Sequence, residues 1–113
     1  MEAINLKAAF EKLPASEYKV LARMNNNTFT IIKGSNRTLD FHTHEDSDEV
    51  FFIVEGKMKL EFRDHIVEIK AGEMCVVPKG VEHRPVCTSE VCVMLIEADG
   101  TLNADNTGGR FKG

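Results

Sequence analysis

Several features are missing from this chain, and each absence removes a class of function. Apolar runs such as Val50–Val54 stop after a few residues, far short of the roughly 20 that a membrane helix needs. The start, Met1-Glu2-Ala3-Ile4, has no basic segment followed by an apolar stretch, so nothing marks it for secretion and the expectation is a soluble, cytoplasmic protein. No long block of one charge sign occurs: 14 basic side chains face 18 acidic ones, and the one tight cluster, Glu45-Asp46-Ser47-Asp48-Glu49, is acidic. Nucleic acid and membrane surfaces are therefore not expected partners. No CxxC pair is present. The three cysteines, Cys75, Cys87 and Cys92, sit within apolar runs and read as reduced core thiols instead of a disulfide framework. With 113 residues, 42% of them hydrophobic, there is room for one core and not for a repeat array or a second full domain.

What is present is mostly β. From Ile4 to Leu13 the apolar residues Ile4, Leu6, Ala8, Ala9, Phe10 and Leu13 recur at largely helical spacing and Pro14 stops them, which predicts one short helix. From Lys19 onward, short runs rich in Val, Ile, Phe and Thr are separated by Gly, Asn, Asp and Pro. This spacing predicts strands at 20–24, 28–33, 38–43, 49–54, 57–63, 66–69, 74–77, 83–87 and 91–97. The clearest is Lys57–Arg63, where Met58, Leu60 and Phe62 share one face and charged residues take the other. Nine short strands call for a sandwich or barrel. The division expected is a helical segment at 1–18, a barrel at 19–98 and a loose tail at 99–113, where Gly and Asn dominate. Val91–Ile96 is apolar on both faces, so the helix or a second subunit must cover its outside, and a homodimer is expected.

The chemistry-bearing residues fall in the middle of the chain. His42 and His44 are two apart, so on a strand both imidazoles leave the same face and form a natural metal clamp. By itself such a pair also fits two polar positions on a wet face. Glu49 follows a turn-prone segment that can return its carboxylate to the same side, with Phe51 and Ile53 sharing its face. His83 follows the turn Pro78-Lys79-Gly80 at the start of a strand. His65, Asp46 and Asp48 read as solvated turn residues, and Arg84 should point to the outside.

Taken together these positions read His42-x-His44-x4-Glu49-x6-Gly56, then a gap of 15 residues, then Gly72-x5-Pro78-x-Gly80-x2-His83. The pattern resembles the two motifs of the cupin superfamily, with eight positions in register over 42 residues. Asn36 stands where the first motif usually opens with Gly, and Cys87 where the second usually closes with Asn. Asn tolerates the left-handed backbone that Gly would supply, and Cys87 reads as a small filler facing the interior. The resemblance implies an all-β fold, a single jelly-roll (double-stranded β-helix) barrel with a short N-terminal helix. It also implies that His42, His44, Glu49 and His83 bind one divalent ion, Fe, Mn, Ni, Cu or Zn, which the ligand types do not distinguish.

Two functional readings follow. The first is a metalloenzyme acting on a small molecule, in which Glu49 also serves as proton acceptor and Phe51, Ile53 and Cys87 line the substrate pocket. Because no Arg or Lys is expected in the lumen, oxygenase chemistry on a neutral or aromatic substrate ranks above sugar-phosphate isomerisation. The second is a non-catalytic module in which the metal is structural or helps to hold a small ligand.

Overall fold

The protein, described by a computed structural model over residues 1–101, opens with helix α1 (Leu6–Lys12). Asn5 caps it by accepting the Ala8 N–H at 2.9 Å, and the turn tightens at Leu13, whose N–H donates to the Phe10 carbonyl just ahead of Pro14. Nine strands follow: β1 (Tyr18–Met24), β2 (Asn27–Gly34), β3 (Arg37–Thr38), β4 (Glu49–Glu55), β5 (Lys57–Phe62), β6 (Ile66–Lys70), β7 (Met74–Val77), β8 (His83–Cys87) and β9 (Val91–Ala98). They form a five-stranded sheet in the order β1-β2-β9-β4-β7 and a four-stranded sheet in the order β3-β8-β5-β6, all pairs antiparallel. Two facing sheets of interleaved strands make the expected jelly roll.

Turn chemistry sets the register. Asn25 and Asn26, both with positive φ, form the two-residue loop between β1 and β2, the turn whose twist matches a hairpin. Gly56, at φ +81°, alone separates β4 from β5, and a Cβ there would lie 2.6 Å from the Glu90 carbonyl oxygen. Asn36 adopts φ 50°, the left-handed conformation expected of it.

The barrel interior alternates as strands dictate. Phe51 and Ile53 of β4, Met58 and Leu60 of β5, Ile69 of β6, Val77 of β7 and Val91, Val93 and Leu95 of β9 form one continuous core with Ile32. Outside the larger sheet, Phe10 and Leu13 pack with Ile31 and Cys92, flanked by Leu21, Val54 and Met94. The N-terminal helix thus covers the second apolar face of β9 within the same chain. The three cysteines are free.

One predicted element is corrected. The strand expected at 38–43 is regular only over Arg37–Thr38. Thr38 lies opposite Val86 and His42 opposite His83, so four steps on one side span three on the other and the ladder must bulge. Pro85 contributes to the break: its carbonyl accepts the Leu39 N–H, but it has no N–H to return. The tail expected at 99–113 lies, from residue 102 on, outside the described residues.

Candidate metal centre

The strand irregularity delivers the first candidate ligand. After the bulge, His42 rejoins β8 and exchanges both backbone hydrogen bonds with His83, each 3.0 Å. Two residues on, the His44 carbonyl accepts the Gly80 N–H at 2.9 Å, tying the first motif to the turn that precedes His83. Glu49 opens β4 opposite Val77. The acidic turn before it is anchored at two points: Ser47 Oγ accepts the Ala98 N–H at 2.9 Å, and Asp48 Oδ1 accepts the Lys79 N–H at 2.9 Å. Asp48 is therefore a turn anchor as well as a solvated residue.

These contacts bring the four expected residues together. The ring of His42 lies 5.1 Å from that of His44 and 4.6 Å from that of His83 between centroids, and His44 and His83 are 5.6 Å apart. His44, Glu49 and His83 are each at most 2% exposed, while His42 is half-buried at the edge. Glu49 Oε1 lies 3.2 Å from His83 Nε2 and 3.4 Å from His44 Nε2.

Proton positions follow from the partners. His42 Nδ1 is 2.8 Å from the Asp40 carbonyl and His83 Nδ1 is 2.9 Å from the Val81 carbonyl. A carbonyl only accepts, so both Nδ1 atoms carry the hydrogen and, in the neutral ring, both Nε2 atoms keep a lone pair. Burial, together with the neighbouring His83 and His44, pushes the His42 pKa down to about 4, overriding the bond to Asp40. At neutral pH it is unprotonated, as a metal ligand must be. Burial would push the Glu49 carboxyl up, but its contacts with His44 and His83 outweigh this and hold it well below the usual carboxylate range.

The 3.2 Å contact between Glu49 Oε1 and His83 Nε2 therefore needs a positive bridge: a proton on Nε2, the hydrogen bond that holds the Glu49 carboxyl low, or, with the ring neutral and its hydrogen on Nδ1, a cation in the proton's place. His44 Nδ1 has no hydrogen-bond partner among the described residues although it is buried. Donor atoms around an ion with bonds of about 2.1 Å lie roughly 3.0–3.5 Å apart when adjacent. The measured separations have that scale, and imidazole with carboxylate is a suitable set for the first-row divalent metals. The residues present fit a metal.

Sequence reasoning missed Glu97. It is 3% exposed, and its carboxylate together with Glu49 and His44 offers a second set of ligand atoms within 4.8 Å of one another, beside the set of His42, His44 and His83. Its signal was available: Val91, Val93, Leu95 and Glu97 alternate to the same face of β9. Thr28 and Thr30, paired with Glu97 and Leu95, are also buried, so the wall of this end of the barrel is more polar than Phe51 and Ile53 alone suggest.

The pocket residues divide. Phe51 and Cys87 line a cavity of about 40 Å³ with Leu39, Met58 and Pro85, whereas Ile53 is wholly buried in the core and does not line it. Phe51 also stands edge-on to His83 at 6.0 Å, joining cavity and histidine cluster through one ring. Contrary to the expectation of a lumen free of basic residues, Arg37 and Lys33 line this cavity. Arg37 opens the short β3, paired with Cys87, one residue ahead of the Thr38–Val86 pair at which the regular ladder stops. The other candidates stay apart from the site. His65 stacks on Phe62 at 4.6 Å and contacts Asp64. Arg84 faces outward, bonded to Glu61 at 2.7 Å and stacked on Phe41.

Similarity to known proteins agrees with this architecture. The cupin domain pattern matches residues 27–98. The crystal structure of a cupin-2 domain protein from Shewanella frigidimarina superposes with a TM-score of 0.80 at 38% identity, covering 84% of this chain and 93% of that one. A Neisseria meningitidis protein of known structure gives a TM-score of 0.78 at 36% identity over 87% of this chain and all of that one. An uncharacterised protein of Bacillus subtilis strain 168, YdbB, is 40% identical over 67 residues, 56% of this chain and 59% of YdbB, so the chain matches less than two thirds of that relative. Motif spacing, sheet topology and these matches lead to one statement: the chain belongs to the cupin family.

Proposed function

We propose that His42, His44, Glu49 and His83 hold one divalent metal ion and that the protein is a metal-dependent enzyme acting on a small molecule. The observation that carries this reading is the contact between His83 Nε2 and Glu49 Oε1 at 3.2 Å, where the hydrogen on Nδ1 is already committed to Val81. A bound ion would supply Lewis acidity and, if redox-active, a centre for oxygen chemistry. The protein's own part is to fix the ligands. Asp40 and Val81 carbonyls set the imidazole tautomers, and Ser47 and Asp48 set the turn that aims Glu49. Glu49, ionised, serves as proton acceptor for the substrate.

Around His83 the walls are Phe51 and Phe62, at 6.0 and 6.5 Å. Aromatic walls suit a neutral or aromatic substrate, which supports oxygenase-like chemistry over sugar-phosphate isomerisation. The basic residues Arg37 and Lys33 belong to the cavity beyond Phe51. A second reading is a non-catalytic module in which the metal is structural, and the small size of that cavity, about 40 Å³, supports it, since pockets for small-molecule substrates are several times larger.

The test is elemental mass spectrometry of protein purified without chelator or nickel, beside a His42→Ala/His83→Ala variant. Near one ion per chain, lost in the variant, supports the site; no ion, and no uptake of Fe(II), Mn, Ni, Cu or Zn on reconstitution, overturns it. Oxygen uptake by the Fe(II)-loaded protein across small aromatics, diketones and thiols, run against thermal-shift binding of the same panel, separates enzyme from module.

A further inference from the structure

Two carboxylates, not one, occupy the polar end of the barrel. Glu49 opens β4 and Glu97 nearly closes β9, and both face inward at 1% and 3% exposure. With His44, their ligand atoms lie within 4.8 Å of one another. Carboxylates so close and so dry do not both stay charged unaided: without an ion they share a proton, in the hydrogen bond from Glu97 that helps to hold Glu49 low, and a divalent cation can take that proton's place. His44 supplies the independent pointer. It is the member common to both donor sets, it is 2% exposed, and its Nδ1 has no hydrogen-bond partner among the described residues while its Nε2 lies 3.4 Å from Glu49 Oε1.

Resting on the metal reading above, we propose that Glu97 supplies a second carboxylate oxygen to the same ion, so that the donor set is three imidazoles and two carboxylates. Once the ion displaces the proton that Glu97 shares with Glu49, two ionised carboxylates balance the charge of a divalent ion, where one would leave a net charge of +1. A six-coordinate ion then keeps one open position instead of two, and the added oxygen shifts preference toward harder ions such as Mn(II) and Fe(II). The neighbouring contacts suit this placement. Thr28 Oγ1 donates to the Glu97 carbonyl at 3.3 Å, and Ser47 Oγ accepts the N–H of Ala98 at 2.9 Å, so the backbone on which Glu97 sits is tied to the strand beside it and to the turn that presents Glu49.

The experiment uses Mn(II) and Co(II) alone as probes, with the full chain, Glu97→Gln, Glu97→Asp and His42→Ala. Mn(II) affinity is read from the paramagnetic resonance signal of the free aquo ion, and coordination from the visible absorption bands of bound Co(II). Thermal unfolding of the metal-free proteins confirms that the variants fold; should Glu97→Gln not fold, Glu97→Asp, which keeps the charge and withdraws the oxygen by one methylene, carries the comparison. The expected result is Mn(II) binding weakened by about tenfold or more in either Glu97 variant, with altered Co(II) bands. Unchanged affinity, or weakened affinity with unaltered bands, overturns the inference, since Glu97 would then act through His44 or Glu49 without touching the ion. If Mn(II) binding is lost in His42→Ala and untouched in Glu97→Gln, this inference alone fails. If the unaltered chain binds neither probe, the metal reading fails with it.

Discussion

His42 and His83 exchange two backbone hydrogen bonds of 3.0 Å although His42 belongs to no regular strand. That bridge holds their rings 4.6 Å apart across a segment whose ladder is otherwise broken by a bulge and Pro85. The candidate metal clamp is thus built from a local return to pairing, and its two imidazoles are positioned by the backbone itself.

Removing the ion should show as lost stability. With free metal about 100-fold above the dissociation constant, binding to the native state contributes about 2.7 kcal/mol, equivalent to about 10 °C for a domain of this size. Differential scanning fluorimetry with and without chelator should show that drop in the native chain and none in His42→Ala. An equal drop in both proteins would mean that chelation acts elsewhere.

The metal-free protein should weaken in mild acid. An unfolded histidine binds its proton near pH 6.5, whereas burial and the neighbouring imidazoles hold folded His42 neutral down to about pH 4. Between those values the unfolded state carries more protons, so stability rises with pH. The His42 contribution is complete above pH 6.5 and is lost as pH falls toward 4. Urea midpoints across pH 4–7 should fall less steeply in His42→Ala, and equal slopes would remove His42 from the effect. Glu49, held low, adds a further loss only below the unfolded carboxylate range, near pH 4.

Gly56→Ala should cost more than propensity explains. The position combines φ +81° with a carbonyl oxygen 2.6 Å from where the Cβ would sit, so strain of about 1–3 kcal/mol is expected, with the Glu90–Val91 backbone forced to move. Asn36→Gly, at φ 50°, should change stability by less than about 1 kcal/mol. Chemical denaturation of the two variants gives the comparison, and equal effects would contradict the steric account.

Phe10→Ala should loosen the helix from the barrel. Phe10 is 4% exposed and packs with Ile31 and Cys92, and losing a buried aromatic costs about 3–5 kcal/mol. Cys92, 4% exposed, should then react faster with a disulfide reagent while Cys87, on the core side of the barrel, keeps its rate. Unchanged Cys92 reactivity would mean that α1 does not protect it.

For the turnover role of Glu49, Glu49→Gln should retain much of the metal and lose turnover with any substrate that the oxygen-uptake panel identifies. Equal turnover would remove Glu49 from the mechanism.

Much of this is legible in the amino-acid sequence alone. Alternation placed Met58 and Leu60 in the core, the Gly and Pro spacing marked the turns, and His42, His44, Glu49 and His83 stood at positions whose chemistry is restrictive. Those are local properties, set by the two-residue period of a strand and by the backbone freedom of Gly and Asn. Three things needed the tertiary structure. The shortening of β3 depends on Pro85, 47 residues after Thr38, because a missing N–H matters only to the strand that lies opposite it. Glu97 reads from sequence as the polar end of an apolar strand; its burial beside Glu49 and His44 exists only because β9 pairs with both β2 and β4. Arg37 and Lys33 became cavity residues because the ends of β2 and β3 approach Phe51 and Cys87. Local periodicity determines which way a side chain points, and only the pairing of distant strands decides what it meets there.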